Sequence, residues 1–102
     1  MPLMVVKRDG RKETFDRSKI MRGLLTATVK RNVHIDELEA LISAIESELR
    51  DRGITEVSSE ELGKMVLQHL IDVDKVAYVR FASVYRDFKD IDEFSEELRS
   101  LM

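Results

Sequence analysis

Val5-Val6-Lys7-Arg8-Asp9-Gly10-Arg11-Lys12-Glu13-Thr14-Phe15 holds two short runs of strand-forming residues around Asp9-Gly10, and how it folds decides the shape of the domain. Asp-Gly between strand-like runs is a strong hairpin signal, so Leu3 to Phe15 read as two antiparallel strands. Two registers compete. A two-residue Asp9-Gly10 loop pairs Lys7 with Lys12. A three-residue loop, Arg8-Asp9-Gly10, with Gly10 left-handed in a bulge, pairs Lys7 with Arg11 and Val5 with Glu13. The second register is preferred. It sets Leu3, Val5, Lys7, Arg11, Glu13 and Phe15 on one face, giving an apolar root under a charged tip.

Downstream, Asp16 is a good N-cap for a first helix over about residues 17–30. Its apolar stripe is Ile20, Leu24, Ala27 and Thr28, widened by Met21, Leu25 and Val29. Gly23 inside that helix costs roughly 1 kcal/mol against alanine, which suggests a close approach by another element. Residues 31–34 connect to a second helix, 35–51, with Leu38, Leu41, Ile42, Ile45 and Leu49 on one face and Gly53 as its stop. Ser58-Ser59-Glu60-Glu61 is a capping box that starts a third helix running to about Ile71, with Leu62, Met65, Val66, His69 and Leu70 inward. After Asp72-Val73-Asp74 a fourth helix spans about 74–88, carrying Val76, Ala77, Arg80, Phe81, Val84, Tyr85 and Phe88. A last short helix offers Phe94, Leu98 and Leu101. The expected fold is mostly α with an N-terminal β-hairpin: a four-helix domain over residues 1–90 capped by the hairpin, and a C-terminal helical extension over 91–102.

Charge is divided unevenly along the chain. Nine of the 17 basic residues fall in the first 31 positions against three acidic ones, whereas the remaining residues hold eight basic and 17 acidic. A protein built to coat DNA is usually basic throughout. This chain concentrates positive charge in the hairpin and the first helical turn, which favours a compact anion; the competing explanation is that the two halves attract each other. Lys19 is the most informative single residue. A cation in a first turn opposes the helix dipole by roughly 0.3–1 kcal/mol, and a phosphate bound there reverses the sign. Arg17 adds to the anomaly. A lysine bent into solvent is the plain alternative.

Other chemistries find little support. No cysteine is present, which removes disulfides and thiolate zinc sites and fits a reducing cytosol. His34 and His69 lie too far apart to form a metal site alone. There is no phosphate-loop or dinucleotide glycine pattern, and Gly63-Lys64 is mid-helix and carries no signal by itself. Glu60-Glu61 and Glu96-Glu97 read as solvated faces and His69 as a packed residue, so no catalytic set emerges and the chain is not expected to be an enzyme. No apolar run of 18 residues and no signal-peptide core occur, so no membrane association is expected and the expected location is cytoplasmic. Tyr78 and Tyr85, seven apart, share one face of the fourth helix, where Tyr85 either edges a purine or packs in the core.

Val5 to Gly10, then Phe15-Asp16-Arg17-Ser18-Lys19-Ile20, then Gly23-Leu24-Leu25, resemble an ATP-cone domain. The stretch Val76-Ala77-Tyr78-Val79-Arg80-Phe81-Ala82-Ser83-Val84-Tyr85-Arg86-Asp87-Phe88 is similar to the cone of the bacterial ribonucleotide reductase transcriptional regulator (NrdR) family. The resemblance covers nearly the whole chain. It implies an allosteric module that binds ATP or dATP, with Mg2+ as an optional companion, and whose bound nucleotide sets a homo-oligomeric state that governs repression of reductase genes. Carried over residue by residue, it implies that Val5, Lys7 and Arg8 belong to a hairpin lid over the nucleotide and that Glu13 is a lid contact. Lys19 would meet the phosphates, Ser59 and Leu62 would lie near the base, and Tyr85 would line the pocket from the fourth helix.

The chain departs from that family in one respect. The family begins with a four-cysteine zinc ribbon that touches DNA, and these residues contain no cysteine. The resemblance therefore implies zinc and operator contact only through a ribbon absent from these residues. Two alternatives stay open: the regulatory cone of a ribonucleotide reductase enzyme, and a small basic-hairpin module that binds nucleic acid.

Overall fold

Strands β1 (Met4–Val6) and β2 (Lys12–Thr14) pair antiparallel, with Val5 opposite Glu13. The turn takes the three-residue form expected: the Lys7 N–H donates to the Arg11 carbonyl at 2.8 Å and the Gly10 N–H to the Lys7 carbonyl at 2.9 Å. Gly10 has φ +89°, a conformation side chains disfavour. The computed structural model describes residues 2–85, 95–97 and 99–101, and of Tyr85 the backbone.

The sheet has a third strand beyond the expected hairpin. Strand β3 (Glu56–Ser58) runs parallel to β1, with Val5 opposite Val57, giving the order β2-β1-β3. Glu56-Val57-Ser58 alternates polar and apolar, but one buried residue in three is too short a pattern to separate from a loop. Val5 and Val57 are buried side by side and root the sheet in the core. Lys12 reaches across β1 to Glu56, Nζ to Oε1 at 2.7 Å.

Helices α1 (Arg17–Ala27) and α2 (Ile35–Asp51) lie between β2 and β3, and α3 (Ser59–Val73) and α4 (Lys75–Tyr85) come after β3. Asp16 caps α1 as expected, accepting from the Ser18 N–H at 3.0 Å. The helix ends at Ala27 rather than near residue 30. Lys30 turns to φ +61°, and the Arg80 guanidinium donates to the carbonyls of Ala27 and Val29 at 3.2 and 2.7 Å. Arg80 of α4 thus acts as a cap for a neighbouring helix. His34 begins α2 with a capping box, its Nδ1 accepting from the Asp36 N–H at 3.1 Å while Glu37 accepts from the His34 N–H. Gly53, at φ +67°, closes α2 in a Schellman turn: its N–H donates to Arg50 and that of Ile54 to Leu49.

Asp74 alone separates α3 from α4. Its backbone is extended, its N–H closes α3 on the Leu70 carbonyl, and its carboxylate accepts from the Ala77 N–H at 2.9 Å. The break expected over three residues is thus one residue long. Arg31 grips the same carboxylate with bonds of 2.9 and 3.0 Å.

The core joins Ile20, Leu24, Leu38, Ile42, Ile45, Leu49, Met65, Val66 and Leu70 to Ala77, Tyr78, Phe81 and Ala82. On α4, Val76 and Val84 are exposed and Tyr78 is buried. Leu25 and Val29, expected to widen the α1 stripe, are also exposed. Gly23 does admit a close neighbour, since a Cβ there would stand 3.3 Å from Phe81 Cε2. Residues 95–97 and 99 are helical, and this segment meets α4 where the Tyr78 hydroxyl donates to Glu97 and Lys75 Nζ to the Leu101 carbonyl at 3.2 Å. Phe88, Phe94, Leu98 and the expected boundary between 90 and 91 lie outside the described residues.

Candidate functional site

The parallel pairing of β1 and β3 brings the hairpin tip to the start of α3. β3 ends at Ser58, whose hydroxyl accepts from the Glu61 N–H at 3.0 Å and so starts α3 directly beside the hairpin. Two adjoining cavities open in the angle between them, with Lys7, Ser59 and Gly63 lining both. The smaller, about 90 Å³, is walled by Val5, Phe15, Ile20, Leu62 and Val66, with Lys7, Glu13 and Lys19 adding charge. The larger, about 740 Å³, takes Arg8, Arg11, Lys64, Asp9, Glu60, Leu67 and Val84. A volume of that size is ordinary for a small-molecule site, whereas the smaller niche holds only part of one.

Seven of the eight residues singled out from the sequence meet here: Val5, Lys7, Arg8, Glu13, Lys19, Ser59 and Leu62. The eighth, Tyr85, closes α4, and its side chain lies outside the described residues. Glu13 organises the cations. Its Oε2 accepts from Lys19 Nζ at 3.3 Å and stands 4.0 Å from Lys7 Nζ. The three side chains are 34–58% exposed, so these ion pairs are held loosely and exchange readily with another anion. Arg8 makes no ion pair among the described residues. Asp9 is committed to Arg11 through its backbone N–H at 3.0 Å and its Nε at 2.7 Å, and the Arg11 backbone N–H, then its guanidinium, hold the Asp9 carboxyl below its usual range.

Arg17 is a correction. Its guanidinium turns away to α2, pairing with Glu46 and, at 2.6 Å, with Glu39, so its place in the first turn reflects helix packing. The sequence reading missed Gly63 and Lys64. Gly63 falls four residues after Ser59 and Leu67 four further on, one helix face by spacing, and that was the available signal. Among the described residues no cluster of three or more His, Cys, Asp or Glu could hold a metal ion, and no helix is long and apolar enough to cross a membrane.

A cationic hairpin lies over a niche between α1 and α3, an arrangement whose charge suits a small anionic ligand. Residues 3–91 match the family described as the ATP cone domain, and the chain belongs to that family. It is a nucleotide-sensing regulatory domain of that type, similar along its whole length to the cone part of bacterial repressors. Over 102 residues it is 56% identical to the transcriptional repressor NrdR of a Geobacillus species, covering 100% of this chain and 67% of that protein. The repressor of the same name from Dictyoglomus thermophilum is 52% identical over 100 residues, 98% of this chain and 67% of the relative. That of Halalkalibacterium halodurans is 52% identical over 102 residues, 100% and 67%. The chain spans about two thirds of the length of these relatives, whose names are those of repressors and not of enzymes.

Proposed function

We propose that this domain binds ATP and dATP in the hairpin cleft and, through the nucleotide bound, sets the assembly state of a repressor of ribonucleotide reductase genes. The observation that carries this reading is the bridge of Glu13 to Lys19 and Lys7 at the mouth of an apolar niche. A carboxylate there holds two lysines in place until a phosphate, with more charge and more acceptor oxygens, takes them over. Val5, Phe15, Ile20, Leu62 and Val66 offer the base an apolar seat, and Lys7, Arg8 and Lys19 take the phosphates, with Mg2+ as an optional counter-ion. Ser59 supplies a hydroxyl between the two. Tyr85 is assigned to the far wall of the same site. Residues 1–90 form the nucleotide-binding unit, and 91–102 a helical extension.

The role is regulatory rather than catalytic. ATP and dATP differ by one hydroxyl, so each shifts the population toward the assembly it binds better. The partners are adenine nucleotides and further copies of the same chain, in the cytoplasm. Zinc and operator DNA enter through a cysteine ribbon of the kind these residues do not contain. Mass in solution measured with ATP, with dATP and without nucleotide tests the assembly step: a nucleotide-dependent mass is expected, and one mass under all three conditions would contradict it.

A further inference from the structure

The large cavity has a second cationic wall, and the hairpin does not supply it. Lys64, in the second turn of α3, lines the cavity together with Lys7, Arg8 and Arg11. Its ammonium lies 3.7 Å from Glu60 Oε1 one turn earlier, with the two side chains 54% and 70% exposed. An exposed helix pair of this kind holds its partners weakly and yields to a stronger anion. The other carboxylate lining the cavity, Asp9, is already bound to Arg11 at 2.7 Å. Both acids of the cavity are therefore engaged, and Arg8 has no ion-pair partner among the described residues. Positive charge thus faces the space from the hairpin on one side and from α3 on the other. A single compact anion satisfies one wall; an elongated polyanion satisfies both.

We propose that Lys64 is a specificity-determining residue that binds the distal phosphates of a nucleoside polyphosphate, so that the site distinguishes a triphosphate from a monophosphate. This rests on the nucleotide-binding reading given above. Lys7 and Lys19, gathered by Glu13, meet the phosphate nearest the nucleoside, and Arg8 and Lys64 take the far end. Lys64 contributes as a point charge on a flexible stem, so an arginine at this position keeps the effect and an alanine removes it.

The test is titration of ATP and AMP into the chain with Lys64 intact and into Lys64→Ala and Lys64→Arg, with thermal unfolding followed alongside. Loss of one charge-assisted contact is expected to weaken ATP by about tenfold or more, with AMP affinity and Tm unchanged and ATP affinity recovered in Lys64→Arg. Unchanged ATP affinity in Lys64→Ala overturns the role of Lys64 and leaves the nucleotide reading standing. Equal weakening of ATP and AMP also overturns it, since Lys64 would not then read the distal phosphates. An intact chain that binds neither nucleotide removes the nucleotide reading, and this inference with it.

Discussion

Lys19 donates from its ammonium to Glu13 Oε2 at 3.3 Å, linking the first turn of α1 to the second strand of the hairpin. The link explains how a cation is tolerated at a helix start: the hairpin supplies the negative charge that the dipole there favours. Lys19 is also 58% exposed, so its removal costs the fold little. Lys19→Ala is expected to weaken ATP binding by about tenfold or more, with stability changed by less than about 0.5 kcal/mol. Paired titration and denaturant unfolding of the variant check both halves. A variant that unfolds would make Lys19 structural instead.

Gly10 sits at φ +89° with no heavy atom within 4 Å of where a Cβ would stand. The cost of a side chain there is thus conformational rather than steric. Gly10→Ala is expected to destabilise by about 1–2 kcal/mol and to lower nucleotide affinity, because Arg8 is positioned by that turn. Unfolding and titration of this variant, with both properties unchanged, would show that the lid does not depend on the turn.

Gly23 gives a different outcome. Alanine in a helix interior normally gains about 1 kcal/mol over glycine, but here its Cβ would press on Phe81 Cε2 at 3.3 Å, and Phe81 is only 3% exposed. Gly23→Ala is therefore expected to leave Tm unchanged or lower it. A rise of several degrees would mean that the contact between α1 and α4 relaxes freely.

The Asp74 carboxyl is held below its ordinary 3.8, first by the Arg31 guanidinium and then by the Ala77 N–H. A group whose folded pKa is depressed stabilises the fold at pH above its unfolded value, and this contribution is lost as pH falls through the folded value. Asp74→Asn is expected to be less stable than the parent chain by on the order of 1 kcal/mol at neutral pH. That gap narrows below about pH 4. Denaturation midpoints at pH 7, 5 and 3 test this, and a gap that stays constant to pH 3 would contradict it. Asp16, lowered by the Ser18 hydroxyl, shifts in the same direction in both chains and cancels in the comparison.

Where sequence patterns were long they were legible. The 17 residues of α2 show a clean apolar stripe and a glycine stop, and the Asp9-Gly10 hairpin with its bulged register was written in its turn chemistry. Short patterns were not: β3 offers three residues, and its pairing to β1 depends on chain that returns from 52 residues away. The end of α1 was misplaced because its cap, Arg80, belongs to another helix. The same limit applies to the site. Lys7, Arg8 and Lys19 stood out as clustered or misplaced charge, whereas Lys64 looked like any exposed helix lysine until the fold set it across a cavity from the hairpin. Arg17, equally conspicuous in sequence, is occupied by Glu39 and Glu46, which only the packing of α1 on α2 reveals.

Titration calorimetry of the chain with ATP and with dATP addresses the cleft most directly. Both are expected to bind with Kd in the micromolar range or tighter, on the order of −8 kcal/mol or better. Absence of heat with either nucleotide, together with duplex DNA binding that weakens steeply with salt, would instead assign the basic hairpin to nucleic acid.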